Sequence, residues 1–193
     1  MGYDILNRVI SITDPSNTQA STLTFSDTHL PLTSTDALEQ TSHFEYDELG
    51  RLISATCPMG HVSRQSYDEV GNTVSKTDGN GNTTGYAYDG LNRLTEITTA
   101  NNAVTTYTYD NAGNMLSQRD GRRNTTSYTY NALNLPIQRR DAEGLAEQLG
   151  YHPDGRLRSR RDRNGAVTTI RYDIHGRKTE EEVVGSSGGF GGK

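Results

Sequence analysis

Tryptophan is missing from this sequence, and only 31% of its 193 residues are hydrophobic, counting alanine and cysteine. A chain of this length is enough for one ordinary domain, but a close-packed single core needs more apolar residues than this. Cys57 is the sole cysteine, so no intrachain disulfide can staple the fold and the redox compartment is left open. No apolar run approaches the roughly 20 residues that cross a bilayer as a helix. No segment shows a 3.6-residue apolar period, which excludes amphipathic helices. Met1-Gly2 leads straight into Tyr3-Asp4 with no signal peptide between. Positive charge is scarce over residues 1–118, where 5 Lys/Arg face 14 Asp/Glu; residues 119–178 reverse this with 13 against 7, and the whole chain is at −5.

What is present is a period. Tyr46, Tyr67, Tyr88, Tyr109, Tyr130, Tyr151 and Tyr172 are spaced 21 residues apart. Phe25 holds the same phase one step earlier, and Tyr3 precedes it by one residue more. Two positions upstream sit Leu23, Phe44, Gln65, Tyr86, Tyr107, Tyr128, Leu149 and Ile170, so all 11 tyrosines fall in two phases. Disordered chains have no need of such register. A repeat array, in which each unit buries a little against its neighbours, fits both the spacing and the thin composition.

With the anchoring aromatic as position 0, position +1 is Asp in Asp4, Asp47, Asp68, Asp89, Asp110 and Asp173. Position +4 is Gly in Gly50, Gly71, Gly113, Gly155 and Gly176, or Asn in Asn92 and Asn134. Gly and Asn tolerate positive φ, so this is a turn, which the Asp side chain can close by accepting from amides two or three residues on. Arg recurs at +5 in Arg8, Arg51, Arg93, Arg156 and Arg177. A β-branched run follows, as in Leu52-Ile53-Ser54-Ala55-Thr56. A second turn then brings Asp at +11, including Asp14, Asp78 and Asp120, and Gly at +14, as in Gly60 and Gly81. The chain returns to the next aromatic pair. The reading is an all-β fold of tandem 21-residue β-hairpin repeats, forming a continuous antiparallel sheet that twists or spirals, with the anchoring aromatics as a structural ladder. The array covers residues 3–184. Residues 185–193 break the repeat and read as a flexible, engineered tail, and the abrupt start points to a piece of a longer protein.

Tyr46-Asp47-Glu48-Leu49-Gly50-Arg51-Leu52-Ile53, followed by Gly60 and then Tyr67-Asp68, resembles the repeat of the RHS, or YD-repeat, family. The likeness extends over eight clear units and one degenerate one. It implies a long spiralling β-sheet that wraps into a hollow shell, as in bacterial polymorphic toxins, the BC cocoon of insecticidal Tc complexes and teneurins. The bacterial shells enclose a toxic C-terminal polypeptide, held unfolded or inactive until delivery. It further implies a secreted, cell-surface or secretion-system-delivered protein. The Asp-Pro-x-Gly self-cleavage signature, a toxin segment and a plug are not in this sequence.

No catalytic constellation emerges, so the chain reads as structural and not as an enzyme, with no cofactor. His29, His43, His61, His152 and His175 lack metal-ligand spacing and read as turn or surface residues. Asp78-Gly79-Asn80-Gly81-Asn82 begins like a calcium loop, but Thr83 stands where that loop needs Gly and Asp89 where it expects Glu. Arg156, Arg158 and Arg160 would share one face of a strand, an anionic-ligand surface or a solvated, ion-paired one; the acidic total argues against nucleic acid. The partners this leaves are a polypeptide cargo, further repeats of a parent chain, glycans stacked on the tyrosines, or a second copy meeting a raw sheet edge.

Overall fold

A computed structural model describes residues 1–13 and 19–185. Asp14 and all of the tail beyond Gly185 lie outside the described residues. The fold is all-β, and no helix occurs among the described residues. The chain divides into two compact units, Met1–Asn102 and Ala103–Lys193.

The first unit holds β1 (Gly2–Tyr3), β2 (Val9–Thr13), β3 (Gln19–Phe25), β4 (Pro31–Asp36), β5 (Thr41–Tyr46), β6 (Leu52–Thr56), β7 (Val62–Tyr67), β8 (Thr73–Thr77), β9 (Thr83–Tyr88) and β10 (Leu94–Thr98). Each strand pairs antiparallel with the next, giving an up-and-down meander. The second unit repeats the scheme with β11 (Val104–Tyr109), β12 (Met115–Arg119), β13 (Thr125–Tyr130), β14 (Pro136–Arg140), β15 (Ala146–Tyr151), β16 (Leu157–Arg161), β17 (Val167–Tyr172) and β18 (Lys178–Val184). Tandem hairpins of this kind are what the 21-residue period implies.

The two turns of each repeat share one local design. At the first, the Gly50 N–H donates to the Asp47 carbonyl at 2.9 Å and the Asp47 N–H to the Arg51 carbonyl at 3.0 Å. At the second, Gly81 donates to the Asp78 carbonyl at 3.0 Å and Asp78 to the Asn82 carbonyl at 2.9 Å. The residue that closes each turn takes the left-handed conformation, at φ 76° for Gly50 and 61° for Asn92. This pattern is a type I turn followed by a left-handed residue.

The strand pairing differs after the two turns. Tyr46 faces Leu52, whereas Glu45 faces Ser54, so Ile53 is an extra, bulged residue. The same slip follows the first turn in the other repeats, for example between Ser66 and Tyr67 and between Thr129 and Tyr130. After the second turn the register between β6 and β7 or β8 and β9 runs without a slip. The bulge resets the simple alternation read from sequence. In β16 the slip falls at Arg158, so Arg156, Arg158 and Arg160 do not belong to one uninterrupted alternation.

Among the described residues no hydrophobic side chain is buried; Ser54, at 8% exposure, is the one buried residue. The seven anchoring tyrosines are half-buried. Stability therefore comes from bonds and contacts between neighbouring strands, and any loss on truncating one ring is smaller than in a closed core.

Position +14 is not always glycine. Glu39 and Arg123 occupy it at φ 61° and 70°. For a side chain with a Cβ the left-handed region costs roughly 1–2 kcal/mol. Arg123→Gly is expected to raise stability by about 1 kcal/mol, after the entropy that glycine adds to the unfolded chain. Thermal unfolding measures it; a lower midpoint than that of the parent would contradict the strained-turn account.

Candidate functional site

The seam between successive repeats is where the sequence-selected residues converge. It is built from the first turn outward. The Asp47 carboxylate accepts the Leu49 amide at 3.0 Å and the Arg51 amide at 2.9 Å through Oδ1, while Oδ2 takes Arg51 Nε at 2.6 Å. The amides reached are thus two and four residues on, where the sequence pattern suggested two or three. These bonds, led by the Arg51 amide, hold the Asp47 carboxyl below the usual carboxylate range. Asp89 repeats the arrangement with Arg93, as does Asp173 with Arg177.

The clamped arginine then crosses to the following repeat. Arg51 Nη1 donates to the Asp68 carbonyl at 3.2 Å, and its Cζ lies 4.5 Å from the Tyr67 ring centroid. Arg8 does the same to the Ser26 carbonyl at 3.0 Å and the Phe25 ring at 4.9 Å. Arg156 covers the Tyr172 ring, also at 4.9 Å. A guanidinium over an aromatic face adds about 0.5–1 kcal/mol where solvent reaches it.

The tyrosine hydroxyls run the opposite way. Tyr67 donates to the Leu52 carbonyl at 2.9 Å, 15 residues back. Tyr88 to Thr73, Tyr130 to Met115, Tyr151 to Pro136 and Tyr172 to Leu157 repeat the bond at 2.8 to 3.0 Å. Each acceptor is the strand residue just before the bulge, where the backbone ladder is interrupted. The hydroxyl reaches it from the following strand, beyond the end of the register with that strand, which stops at Ser54 opposite Arg64 in β6 and β7. Burial raises the Tyr88 and Tyr130 hydroxyl pKa, with the neighbouring Tyr86 and Tyr128 adding to it. Because same-phase tyrosines sit on alternate strands, about 10 Å apart, a strand lies between each ring and the next. The expected ladder of rings is therefore carried by hydroxyl–carbonyl bonds and guanidinium contacts between the rings.

The turn residues complete the seam. Gly50, Gly71, Asn92, Gly113, Asn134, Gly155 and Gly176 all have positive φ. Their identity follows the residue at +5 of the preceding repeat. Asn72 Nδ2 bonds Asn92 Oδ1 at 3.0 Å across 20 residues, and Asn114 bonds Asn134 likewise at 2.9 Å. Where +5 is arginine or leucine the next +4 is glycine, except that His29 follows Arg8; a Cβ on Gly176 would lie 2.8 Å from Arg156 Nη1, the movable end of that side chain, on Gly155 3.6 Å from Leu135 Cδ1 and on Gly71 3.9 Å from Arg51 Nη1, whereas on Gly113 it would meet nothing within 4 Å. Asn72 and Asn114 were not singled out from sequence, although their 20-residue spacing to Asn92 and Asn134 was there to be read.

His152 stands at +1 in place of aspartate. Its Nε2 is buried without a hydrogen-bond partner, and its ring meets Tyr172 edge-on at 6.0 Å. The missing carboxylate is replaced from +3: Asp154 clamps Arg156 Nη2 at 2.6 Å. That hydrogen bond lowers the Asp154 pKa to about 2.

The other candidates resolve into turns and ion pairs. Asp78 spends its carboxylate on the Asn80 and Asn82 amides and on Asn82 Nδ2, each at 2.9 Å. Among the described residues no cluster of His, Cys, Asp and Glu could hold a metal ion. In the basic run, Arg163 pairs with Asp141 at 3.0 Å and Arg160 with Glu147. No described helix is long and apolar enough to cross a membrane.

Two substitutions test the seam. Tyr130→Phe leaves the ring and removes the bond to Met115, for an expected loss of about 1 kcal/mol in urea unfolding. An unchanged midpoint would mean that solvent satisfies the carbonyl equally well. Asn72→Arg with Asn92→Gly is expected to recover about 1 kcal/mol relative to the sum of the two single variants; strict additivity would refute the size matching of neighbouring turns.

The RHS Repeat family profile matches residues 25–62, 67–104, 88–125 and 151–185. Among solved structures, a TcdB2-TccC3-TEV crystal structure aligns over 96% of this chain with a TM-score of 0.59 at 19% identity. A complex titled TcdB2-TccC3-Cdc42 aligns over 89% with a TM-score of 0.55 at 21% identity. The Tc holotoxin pore of Photorhabdus luminescens aligns over 84% with a TM-score of 0.54 at 21% identity. These likenesses establish the fold, and the chain spans only 9 to 11% of the lengths it matches. No curated protein matches by sequence.

Proposed function

The chain belongs to the RHS Repeat family, and from that we propose that it is a wall segment of a β-sheet shell enclosing a toxin or another polypeptide. The supporting observation is a strand meander within each unit with no packed core among the described residues. Tandem hairpins run through both units, and among the described residues no hydrophobic side chain is buried. A chain so organised invests in lateral bonds between strands, which suits a partition better than a packed domain. Its role on this reading is structural and not catalytic, and its natural partners are a polypeptide cargo and further repeats of a parent chain. Its location is secreted, cell-surface or delivered with a toxin complex.

A sugar-binding surface would need free aromatic faces. Guanidinium groups cover one face of Tyr67 and of Tyr172, which favours the wall. Ion pairing in the basic run, at Arg156, Arg160 and Arg163, similarly weighs against a nucleic-acid surface.

Residues 3–184 can be substituted for an equal run of repeats in a shell-forming RHS chain. The expected outcome is that the enclosed polypeptide stays resistant to added protease while the shell remains folded. Digestion at the rate of the free polypeptide, in a hybrid that folds, would sink the proposal.

A further inference from the structure

We propose that one face of the second unit, the face that carries Arg119, Arg140 and Arg161, docks an extended acidic segment of another polypeptide with carboxylates four residues apart. The proposal is independent of whether the wall encloses anything.

The three arginines hold position +10 in successive repeats, where the first unit has Thr56, Thr77 and Thr98. Position +10 lies beyond the bulge, so the residues directly opposite share its face. Arg119 stands between Thr106 and Thr125, Arg140 between Ser127 and Ala146, and Arg161 between Gln148 and Val167. None of these neighbours carries a charge. All three arginines are exposed, and among the described residues none of them enters an ion pair. The contrast within the same unit is sharp: Arg156, Arg160, Arg163, Arg171 and Arg177 are each held by a carboxylate. The aspartates that follow the three, Asp120, Asp141 and Asp162, accept the amides of their own turns. Arg140 Nη1 donates to the Gly144 carbonyl at 3.0 Å, which fixes that guanidinium beside the turn. Arg161 borders a hollow of about 300 Å³ formed with Ala146, Gln148, Asp162 and Asn164.

The spacing of the row selects the occupant. Arg119 faces Thr125 and Arg140 faces Ser127, so the row steps two residues along β13 while it crosses two strands. At about 4.8 Å per strand and 3.4 Å per residue, successive arginines stand roughly 12 Å apart at the backbone. Carboxylates four residues apart on an extended chain lie on one side of it and about 13 Å apart. A guanidinium takes a carboxylate through two parallel N–H bonds, and its long side chain absorbs the small mismatch. A nucleic-acid strand fits less well. Tyr128 and Tyr130 alternate with Ser127 and Thr129 in β13, which puts the rings on the opposite face and leaves none here for bases to stack on. Glu182, at +10 of the last repeat and opposite Thr169, ends the row. The footprint is therefore three arginines long. Across residues 119–178, 13 Lys/Arg against 7 Asp/Glu supply a positive field that draws an acidic chain toward it.

The probe is a fluorescein-labelled peptide of three Glu-Ser-Thr-Ser repeats, titrated by anisotropy at low salt against the full 193-residue chain. Saturable binding that weakens as salt is added is expected. Arg140→Gln is expected to weaken it about threefold, and the three Arg→Gln changes together about tenfold or more. Arg139→Gln, on the opposite face, is expected to leave it unchanged. The substituted side chains are exposed, so the thermal midpoint should stay at the parent value, and binding by the refolded variants is compared at equal folded fraction. Absence of saturable binding overturns the proposal. So does equal binding of a peptide of the same composition with its three glutamates adjacent, or equal loss from Arg139→Gln. Tighter binding of oligothymidylate or of a sulfated oligosaccharide, lost in the triple variant, would assign the face to that polyanion and overturn the acidic-peptide proposal.

Discussion

A carboxylate at the start of most described reversals organises the molecule. At Asp47 it closes the turn on the Leu49 and Arg51 amides, and with its remaining oxygen it aims the Arg51 side chain. The turn and the contact to the next repeat are thereby coupled. A loosened carboxylate frees both the hairpin end and the guanidinium that crosses to Tyr67. The His152 repeat shows how strongly this is required. With aspartate lost from +1, Asp154 clamps Arg156 from two residues away, and the contact to Tyr172 is kept.

The bulge and the tyrosine hydroxyl bond sit next to one another on the strand, one toward each neighbour. The slip at Ile53 interrupts the ladder next to Leu52, and Tyr67 from the following strand bonds the Leu52 carbonyl. Gln65 reaches the same oxygen at 2.8 Å. A phenylalanine could fill the ring's place but not the bond. This gives a physical reason for tyrosine at so many anchoring positions in a protein with so little apolar surface to bury. Repeats with and without arginine at +5 then differ in how the seam is closed, through Arg–ring contact in one case and Asn–Asn bonding in the other.

Much of this was legible in the sequence. The 21-residue spacing of Tyr46 to Tyr172, with Asp at +1 and Gly or Asn at +4, specifies hairpins because each residue type answers one local demand. The bulge was not legible. Leu52-Ile53-Ser54 reads as plain alternation, and only the pairing of Tyr46 and Glu45 across the turn reveals the extra residue. Nor did sequence mark Glu39 or Arg123 as left-handed, since neither residue type favours that region; their phase, +14, was the available signal. The rings share a phase, and the structure places a strand between each ring and the next. Periodicity fixes which rings share a phase, but not what occupies the strand between them.

In both units each strand meets only its sequence neighbours, and the Arg163–Asp141 side-chain bond already reaches as far as 22 residues. Such local wiring has a mechanical consequence. Among the described residues of either unit no contact joins strands that are not sequence neighbours, so a unit under load gives way at one outer hairpin at a time. Extension should proceed as peeling, with short force peaks of similar height, and each released unit can re-zip on its neighbour when tension falls. A polypeptide of this construction can be drawn out and reclosed in small steps, where a protein with one common core yields all at once.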